Sequence, residues 1–124
     1  MGQPAHSHTV LVVEDDGIVR LDAAQSLESA GYQVVEAGDA SEALEILAHR
    51  SDIDVLFTDI NMPGGMDGLE LARVVHRTCP EVRLIVTSGA VRPAPGQIPD
   101  CGAFLPKPYS PDSIARAVDR QLAA

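Results

Sequence analysis

Polar side chains follow several apolar runs of this sequence at the point where each run ends. Residues 14–16 are three acids that come directly after the apolar run 10–13, and Asp59 ends a second run. Thr87 ends a third run, and Lys107 follows a short further one. Because the carboxyl ends of parallel strands meet at one edge of a sheet, we expect these side chains to lie close together.

Such a gathering of acids predicts a chemistry that depends on a metal ion. Neighbouring carboxylates repel one another, and burial disfavours their ionised forms. A divalent cation relieves the repulsion, and carboxylates with a backbone carbonyl and water form the octahedral oxygen site that Mg²⁺ prefers. Phosphate oxygens could complete such a site, with Lys107 adding positive charge and Thr87 a hydroxyl donor. A carboxylate can accept a phosphoryl group as an acyl phosphate, so the pattern predicts phosphoryl transfer to Asp59.

Each of these residues has a simpler explanation when it is taken alone. Asp16 and Asp67 are most simply helix caps, a Lys-Pro pair is usually a surface turn, and Thr87 alone is an ordinary strand residue. The order of the whole set along the strands is what favours the chemical interpretation.

The composition limits the classes of function. The 124 residues suit one domain, and 45% apolar residues with only 3% aromatic ones predict an aliphatic core. The net charge of −9 argues against direct binding of nucleic acid or of an anionic membrane. Cys79 and Cys101 lack the spacing of a metal site and favour reduced thiols. No run is long enough to span a bilayer, and the first residues do not resemble a signal peptide.

Apolar runs alternate with segments of helical period, which predicts parallel strands joined by right-handed crossovers. The predicted strands lie near residues 10–13, 33–36, 55–58, 84–87 and 104–105. Helices are predicted after the first three strands and after the fifth.

The apolar residues of each helical segment predict its buried face. In the first helix, Ile18, Leu21, Ala24 and Leu27 are expected to face the core. The inward residues expected in the later helices are Ala40, Ala43, Leu44 and Leu47, then Leu71, Ala72 and Val75, and finally Ile114, Ala117, Val118 and Leu122.

Helix ends carry signals of their own. Asp39 and Glu42 have the spacing of a capping box, and Gly31 supplies a left-handed stop. Pro111 after Ser110 predicts the start of the last helix.

The segment 88–102 departs from the alternation. It contains Pro93, Pro95 and Pro99 together with Gly89 and Gly96, which prevent a regular helix of any length. The fourth crossover is therefore predicted to be a loop or a single turn.

Together these features resemble the receiver domain of bacterial two-component response regulators, over about residues 9–122. The motifs that carry the resemblance are VLVVEDD at 10–16, TDINMP at 58–63, MDGLEL at 66–71, IVTSG at 85–89 and FLPKPY at 104–109. The resemblance implies a flavodoxin-like, doubly wound sheet of five parallel strands in the order 2-1-3-4-5, with helices on both faces. The Pro-rich loop would shorten or replace the fourth helix. Residues 1–8 are expected to be a flexible N-terminus, followed by a receiver domain over 9–124.

The resemblance also implies the acceptor and the metal ligands. Asp59 matches the family's phosphoacceptor. Glu14 and Asp15 match the acid pair that holds Mg²⁺ or Mn²⁺, together with Asp59 and the backbone carbonyl of Asn61.

The remaining site residues would stabilise the phosphoryl group and report its presence. Thr87 and Lys107 match the groups that bind the phosphoryl oxygens. Thr87 and Phe104 match the switch pair, and the peptide bond between Lys107 and Pro108 is expected to be cis.

Two departures from the family pattern bear on function. The loop NMPGGMDG after Asp59 is one glycine longer than the commonest form, which would loosen that wall of the site and speed hydrolysis. The Pro-rich segment replaces a helix that usually forms part of the face reporting phosphorylation, and some single-domain receivers from α-proteobacteria look similar.

The function that the resemblance implies is that of a cytoplasmic, single-domain response regulator in a phosphorelay. It would accept a phosphoryl group from a sensor histidine kinase or a phosphotransfer protein and signal by a conformational change to an output partner. It would catalyse only its own phosphorylation and dephosphorylation. No direct contact with nucleic acid or membrane is expected, and a homodimer is compatible with the sequence.

Two other interpretations stay open. An aspartyl-phosphate phosphatase of the haloacid dehalogenase type would need a second Asp where this chain has Asn61, and would carry its nucleophile on the first strand. A receiver-like binding module would not turn over phosphate, although every chemical position here is occupied. A serine hydrolase is weaker still, because Ser88 lacks the G-x-S-x-G turn.

Overall fold

A computed structural model describes residues 8–89, 92–94, 96–99 and 102–124. Within these ranges the chain forms five strands and four helices. The strands are β1 (Thr9–Val13), β2 (Gln33–Ala37), β3 (Val55–Asp59), β4 (Arg83–Ser88) and β5 (Ala103–Pro106). The helices are α1 (Gly17–Ser29), α2 (Ala40–His49), α3 (Gly68–Thr78) and α4 (Pro111–Ala123).

The strands form one sheet in which every pairing is parallel and the order is β2-β1-β3-β4-β5. This confirms the flavodoxin-like order. β1 and β3 are buried along their whole length, as expected for central strands that helices cover on both faces. The edge strands β2 and β5 are only partly buried.

The core consists of two apolar clusters, one on each face of the sheet. The pleat sends alternate side chains to opposite faces, so Leu11 and Val13 pack with α2 and α3, whereas Val10 and Val12 pack with α1 and α4. Phe57 supplies the one ring of the second cluster that is fully buried. Helices therefore lie on both faces, as predicted, and the core is largely aliphatic.

The predicted buried face of α1 is wrong in its first half. Ala24 and Leu27 are buried, but Ile18 is 82% exposed and Leu21 is 50% exposed. The four positions are spaced by three residues each, whereas an α-helix turns once every 3.6 residues. The stripe consequently drifts around the helix, and Ile18 lies on the side opposite Leu27. Ala23 takes the inward place instead.

The helix caps agree with the sequence signals except at one position. The side chain of Asp39 accepts a hydrogen bond from the backbone N–H of Glu42, as expected. The Glu42 carboxylate, however, accepts from the N–H of Gly38 at 2.8 Å rather than from Asp39, so the predicted capping box is only half formed. Gly31 ends α1 with φ of 101°, which confirms the left-handed stop.

The connection between β4 and β5 contains no helix among its described residues. Short turns close it instead, with Gln97 N–H donating to Ala94 O and Gly102 N–H donating to Pro99 O, both at 3.0 Å. Ile98 packs against the cluster of α2 and α3. The prediction of a loop is thus confirmed where the segment is described, and the expected flexible N-terminus lies almost wholly outside the described residues.

Two further predictions from the sequence are that the cysteines are reduced and that no segment spans a membrane. Cys79 is a free, half-buried thiol, whereas Cys101 lies outside the described residues. Throughout the described ranges, no helix combines the length and the apolar character that crossing a membrane would require.

Candidate functional site

The strand register brings the polar residues of the carboxyl edge together before any side chain is considered. Val13 of β1 pairs with Thr58 of β3, so the residues that follow them, Glu14 and Asp59, are neighbours. Asp59 in turn pairs with Thr87 of β4. The edge that the sequence predicted is therefore built by backbone pairing of three central strands.

Three carboxylates meet at this edge. One oxygen from each of Glu14, Asp15 and Asp59 lies within 4.8 Å of the others. Glu14 and Asp59 are each only 4% exposed, whereas Asp15 is exposed. The cluster thus has two buried acids at its base and one at its mouth, and we refer to these three residues with Lys107 as the acid corner.

Lys107 reaches both buried acids from the end of β5. Its Nζ donates hydrogen bonds to Glu14 Oε1 at 2.8 Å and to Asp59 Oδ2 at 3.2 Å. Its backbone N–H is fixed to Ser88 O at 3.1 Å, and the peptide bond to Pro108 is cis. The lysine therefore does not point into bulk water but serves as the counter-ion of the buried pair.

The electrostatics of the acid corner are unbalanced. Burial raises the pKa of Glu14, and the charge of Asp59 adds to this, although Lys107 and the N–H of Asp16 oppose it. Burial lowers the pKa of Lys107, but the hydrogen bond to Glu14 and the charges of both acids outweigh it and raise the pKa above its usual value. One ammonium against three carboxylates leaves a formal charge of −2, which favours binding of a divalent cation.

A second ring of contacts orients the acids. The backbone N–H of Asn61 donates to Asp59 Oδ1 at 3.2 Å, and its side-chain Nδ2 donates to Ser88 Oγ at 2.9 Å. The N–H of Asp16 donates to Glu14 Oε2 at 3.1 Å. Among the described residues, each carboxylate oxygen of Glu14 and of Asp59 therefore accepts one hydrogen bond.

The hydroxyl of Thr87 is the one unmatched polar atom that this edge buries in the described part of the chain. Thr87 is 1% exposed, and its Oγ1 has no hydrogen-bond partner there. Buried hydroxyls are normally satisfied, so an unpaired one beside Asp59 indicates a donor for a group that binds at this edge.

Phe104 lies on the strand next to Thr87, one residue out of register with it, because it pairs with Val86. The ring is half-buried, and the guanidinium carbon of Arg92 lies 5.2 Å from its centroid. The predicted switch residues are thus on adjacent strands, with a cation over the aromatic member.

Three contributors to the site were not predicted from the sequence. Gly68 packs so closely that a Cβ would lie 2.0 Å from the carbonyl oxygen of Asp59, so only glycine fits there. Ser88 holds Asn61, and Arg20 of α1 donates to the carbonyl oxygen of Glu14 at 2.9 Å. The glycine after Asp67 was the available signal for the first, whereas the other two contacts have no local signature.

Comparisons with known proteins agree with this geometry. A family model described as the response regulator receiver domain matches residues 10–119. The chain therefore belongs to the receiver domain family of response regulators, which are signalling domains of two-component systems.

Curated relatives share this domain within longer proteins. The chain is 38% identical over 120 residues to the sensor kinase CckA of Brucella abortus, covering 94% of this chain and 13% of the kinase. It is 35% identical over 115 residues to the transcriptional regulatory protein PdtaR of Mycobacterium tuberculosis, covering 89% of this chain and 54% of that protein. The chain thus spans about half or less of the length of these relatives.

Solved structures show the same fold. The receiver domain of the hybrid histidine kinase CckA has a TM-score of 0.79 at 35% identity, covering 92% of this chain and 98% of that one. A response regulator receiver protein from Sinorhizobium medicae has a TM-score of 0.83 at 28% identity, with 98% of each chain covered.

Proposed function

We propose that Asp59 accepts a phosphoryl group from the phosphohistidine of a histidine kinase or a phosphotransfer protein, and later loses it to water. The observation that carries the proposal is the convergence of Lys107 and two further carboxylates on Asp59 at the end of a buried strand. A structural ion pair would need only one acid for each lysine. An excess of acids beside a hydroxyl that finds no partner in the described part of the chain is suited to binding a cation and an oxyanion together.

The donor set fits Mg²⁺, or Mn²⁺ in its place. Glu14, Asp15, Asp59 and the backbone carbonyl of Asn61 would hold the ion, because hard oxygen ligands and a net negative charge suit small divalent cations. When bound, the ion would neutralise phosphoryl oxygens and so lower the repulsion between the donor and Asp59.

The transfer itself needs positioning and charge neutralisation by the residues of the chain. An oxygen of Asp59 attacks phosphorus while the P–N bond of the donor breaks, and the electron pair of that bond stays on the imidazole nitrogen. The product is an acyl phosphate on Asp59. Lys107, already 3.2 Å from Asp59 Oδ2, can hold the new negative charge, and Thr87 can donate its free hydroxyl to a phosphoryl oxygen.

The conformational response to phosphorylation would begin at the hydroxyl of Thr87. Once Thr87 donates to the phosphoryl group, β4 is biased toward the acid corner, and Phe104 on the adjacent strand can repack beneath Arg92. An output partner would read this change. The protein would catalyse only its own phosphorylation and dephosphorylation, and the proposal places it in the cytoplasm, where ATP supplies the kinase.

Labelling with a small phosphoryl donor tests the proposal directly. Incubation of the chain with Mg²⁺ and acetyl phosphate should add one phosphoryl group, detected by intact mass, and hydroxylamine should remove it as expected of an acyl phosphate. Asp59→Asn should abolish labelling, and the matched control Asp52→Asn should not.

Equal labelling of Asp59→Asn and the wild type would refute the assignment. Turnover of p-nitrophenyl phosphate would support the phosphatase interpretation instead. Absence of labelling together with absence of Mg²⁺ binding in the wild type would support the binding module.

A further inference from the structure

The guanidinium of Arg20 binds the backbone beside the acid corner rather than its carboxylates. Its Nη1 donates to the carbonyl oxygen of Glu14 at 2.9 Å, and its Nε donates to Glu36 Oε1 at 3.1 Å. It lies against Gly17 and Gly38, where added Cβ atoms would be 3.7 Å and 3.5 Å from its nitrogens. The Arg20 side chain is only 27% exposed, so this contact is partly shielded from water.

The carbonyl that Arg20 holds belongs to the peptide group between Glu14 and Asp15. The N–H of Glu14 is also fixed, because it donates to Ala37 O at 3.1 Å. A peptide group is planar, so fixing this carbonyl oxygen sets the direction in which the chain leaves toward Asp15. The Asp15 carboxylate accepts no hydrogen bond in the described part of the chain, and its place near Asp59 therefore depends on its backbone.

We propose that Arg20 is a positioning residue that directs the Asp15 carboxylate into the acid corner by holding the carbonyl of Glu14. This inference rests on the proposed function, since it assigns to Arg20 a share of the affinity for Mg²⁺. Groups that orient metal ligands from behind commonly contribute tenfold or more to metal affinity.

The direction of the effect distinguishes positioning from simple electrostatics. Arg20 is a cation near a site for a cation, so through charge alone its removal would tighten Mg²⁺ binding. If Arg20 acts by positioning, its removal weakens Mg²⁺ binding, because the backbone that directs the Asp15 carboxylate is no longer fixed. Glu36 at 3.1 Å balances much of the guanidinium charge, which leaves positioning as the larger of the two effects.

Calorimetric titration of the full chain with MgCl₂ tests this inference. Arg20→Gln should raise the Kd for Mg²⁺ about tenfold. Arg20→Lys should raise it less, because an ammonium can still donate to the Glu14 carbonyl although it lacks the planar fork of the guanidinium. At saturating Mg²⁺ the rate of labelling by acetyl phosphate should return to the wild-type rate, since Asp59 and Lys107 are unchanged. Arg50→Gln is the matched control and should leave the Kd unchanged, because Arg50 lies at the opposite end of the sheet.

An unchanged or lower Kd in a folded Arg20→Gln variant would overturn the inference and leave the proposed function intact. Urea unfolding establishes whether the variant is folded. If it is not, Arg20→Lys decides, and a Kd within about twofold of the wild type would count against positioning. A wild type that neither binds Mg²⁺ nor is labelled would refute the proposed function itself.

Discussion

Two ion pairs of this molecule have similar geometry, yet the pKa values of their acids are shifted in opposite directions. In the acid corner, Lys107 Nζ lies 2.8 Å from Glu14, and after α2, Arg50 Nη2 lies 2.6 Å from Asp52. The hydrogen bond from Arg50 lowers the pKa of Asp52, as a cation normally does. The pKa of Glu14 is nevertheless raised, because burial and the charge of Asp59 outweigh Lys107.

The distance between two charged atoms therefore does not by itself show what an ion pair contributes to stability. The side chain of Glu14 is 5% exposed, whereas that of Asp52 is 53% exposed. Water stabilises the ions of the exposed pair with or without their partner, and its net contribution is small. The buried acids have lost that solvation and depend on Lys107, so the acid corner is held in a state that a bound cation would relieve.

The largest contrast should come from removing the cation of each pair. Lys107→Met should lower the free energy of unfolding by about 2 kcal/mol at pH 7, because Glu14 and Asp59 are left buried without a counter-charge. Because the pKa of Lys107 is raised in the folded protein, its charge stabilises the fold fully at pH values below the ordinary pKa of 10.5. This stabilisation is lost as the pH rises through the pKa that Lys107 has in the folded protein. Urea unfolding without Mg²⁺ measures the loss.

Arg50→Met is the control for this comparison. It removes a cation at an even shorter distance, yet the unfolding midpoint should not change measurably because the pair is exposed. Similar losses in the two variants would show that burial does not separate the pairs.

A smaller effect of opposite sign is expected when the buried acid is neutralised. Glu14→Gln can still accept from Lys107 but removes the repulsion from Asp59, and should stabilise the metal-free protein by about 1 kcal/mol at pH 7. In the wild type the protonated form of Glu14 is favoured on folding, so stability is lost as the pH rises through its raised pKa. The gain in unfolding free energy of Glu14→Gln over the wild type should therefore shrink as the pH falls, and it should vanish below the ordinary Glu pKa of 4.5.

Asp52→Asn provides the matched comparison in the exposed pair. It should show no gain at any pH, because the lowered pKa of Asp52 means that its ionised form is favoured, not disfavoured, on folding. A pH-independent advantage of Glu14→Gln would contradict the account, since repulsion between carboxylates must depend on ionisation.

The smallest effect concerns an uncharged group at the same edge. Thr87→Val should raise the free energy of unfolding by less than about 1 kcal/mol, because it removes a buried hydroxyl that has no hydrogen-bond partner within the described ranges. Thr58→Val is the control, since the Thr58 hydroxyl donates to Asp59 O at 3.1 Å, and its loss should lower stability. If both valine variants are destabilised equally, the Thr87 hydroxyl is satisfied in solution and is not held ready for a ligand.

Much of the fold could be predicted because its signals are local. A continuous apolar run such as that of β1 specifies a strand covered on both faces, and Asp16, Gly31 and Ser110 mark helix ends within a few residues. The inward side of α1 could not be predicted from Ile18 and Leu21 by a spacing of three, since such a stripe rotates away from the sheet.

Some features of the candidate site could likewise be predicted from the sequence, and others could not. The acids at the ends of β1 and β3 could be predicted to meet, because parallel pairing aligns the carboxyl ends of strands. The contacts of Lys107 span 93 residues to Glu14 and 48 to Asp59. No local pattern indicates that one ammonium bonds to both acids or that Asp15 remains at the mouth.

The residue types at each strand end can be read from the sequence, and they indicate the receiver domain family and the chemistry that we propose for this edge. How those groups are matched depends on the packing of the folded chain. There, two acids are buried, Arg20 donates to a backbone carbonyl, and the Thr87 hydroxyl has no hydrogen-bond partner among the described residues. Strands and caps arise from periodicities over a few residues, whereas burial and hydrogen-bond partners depend on the packing of segments that are distant in the chain.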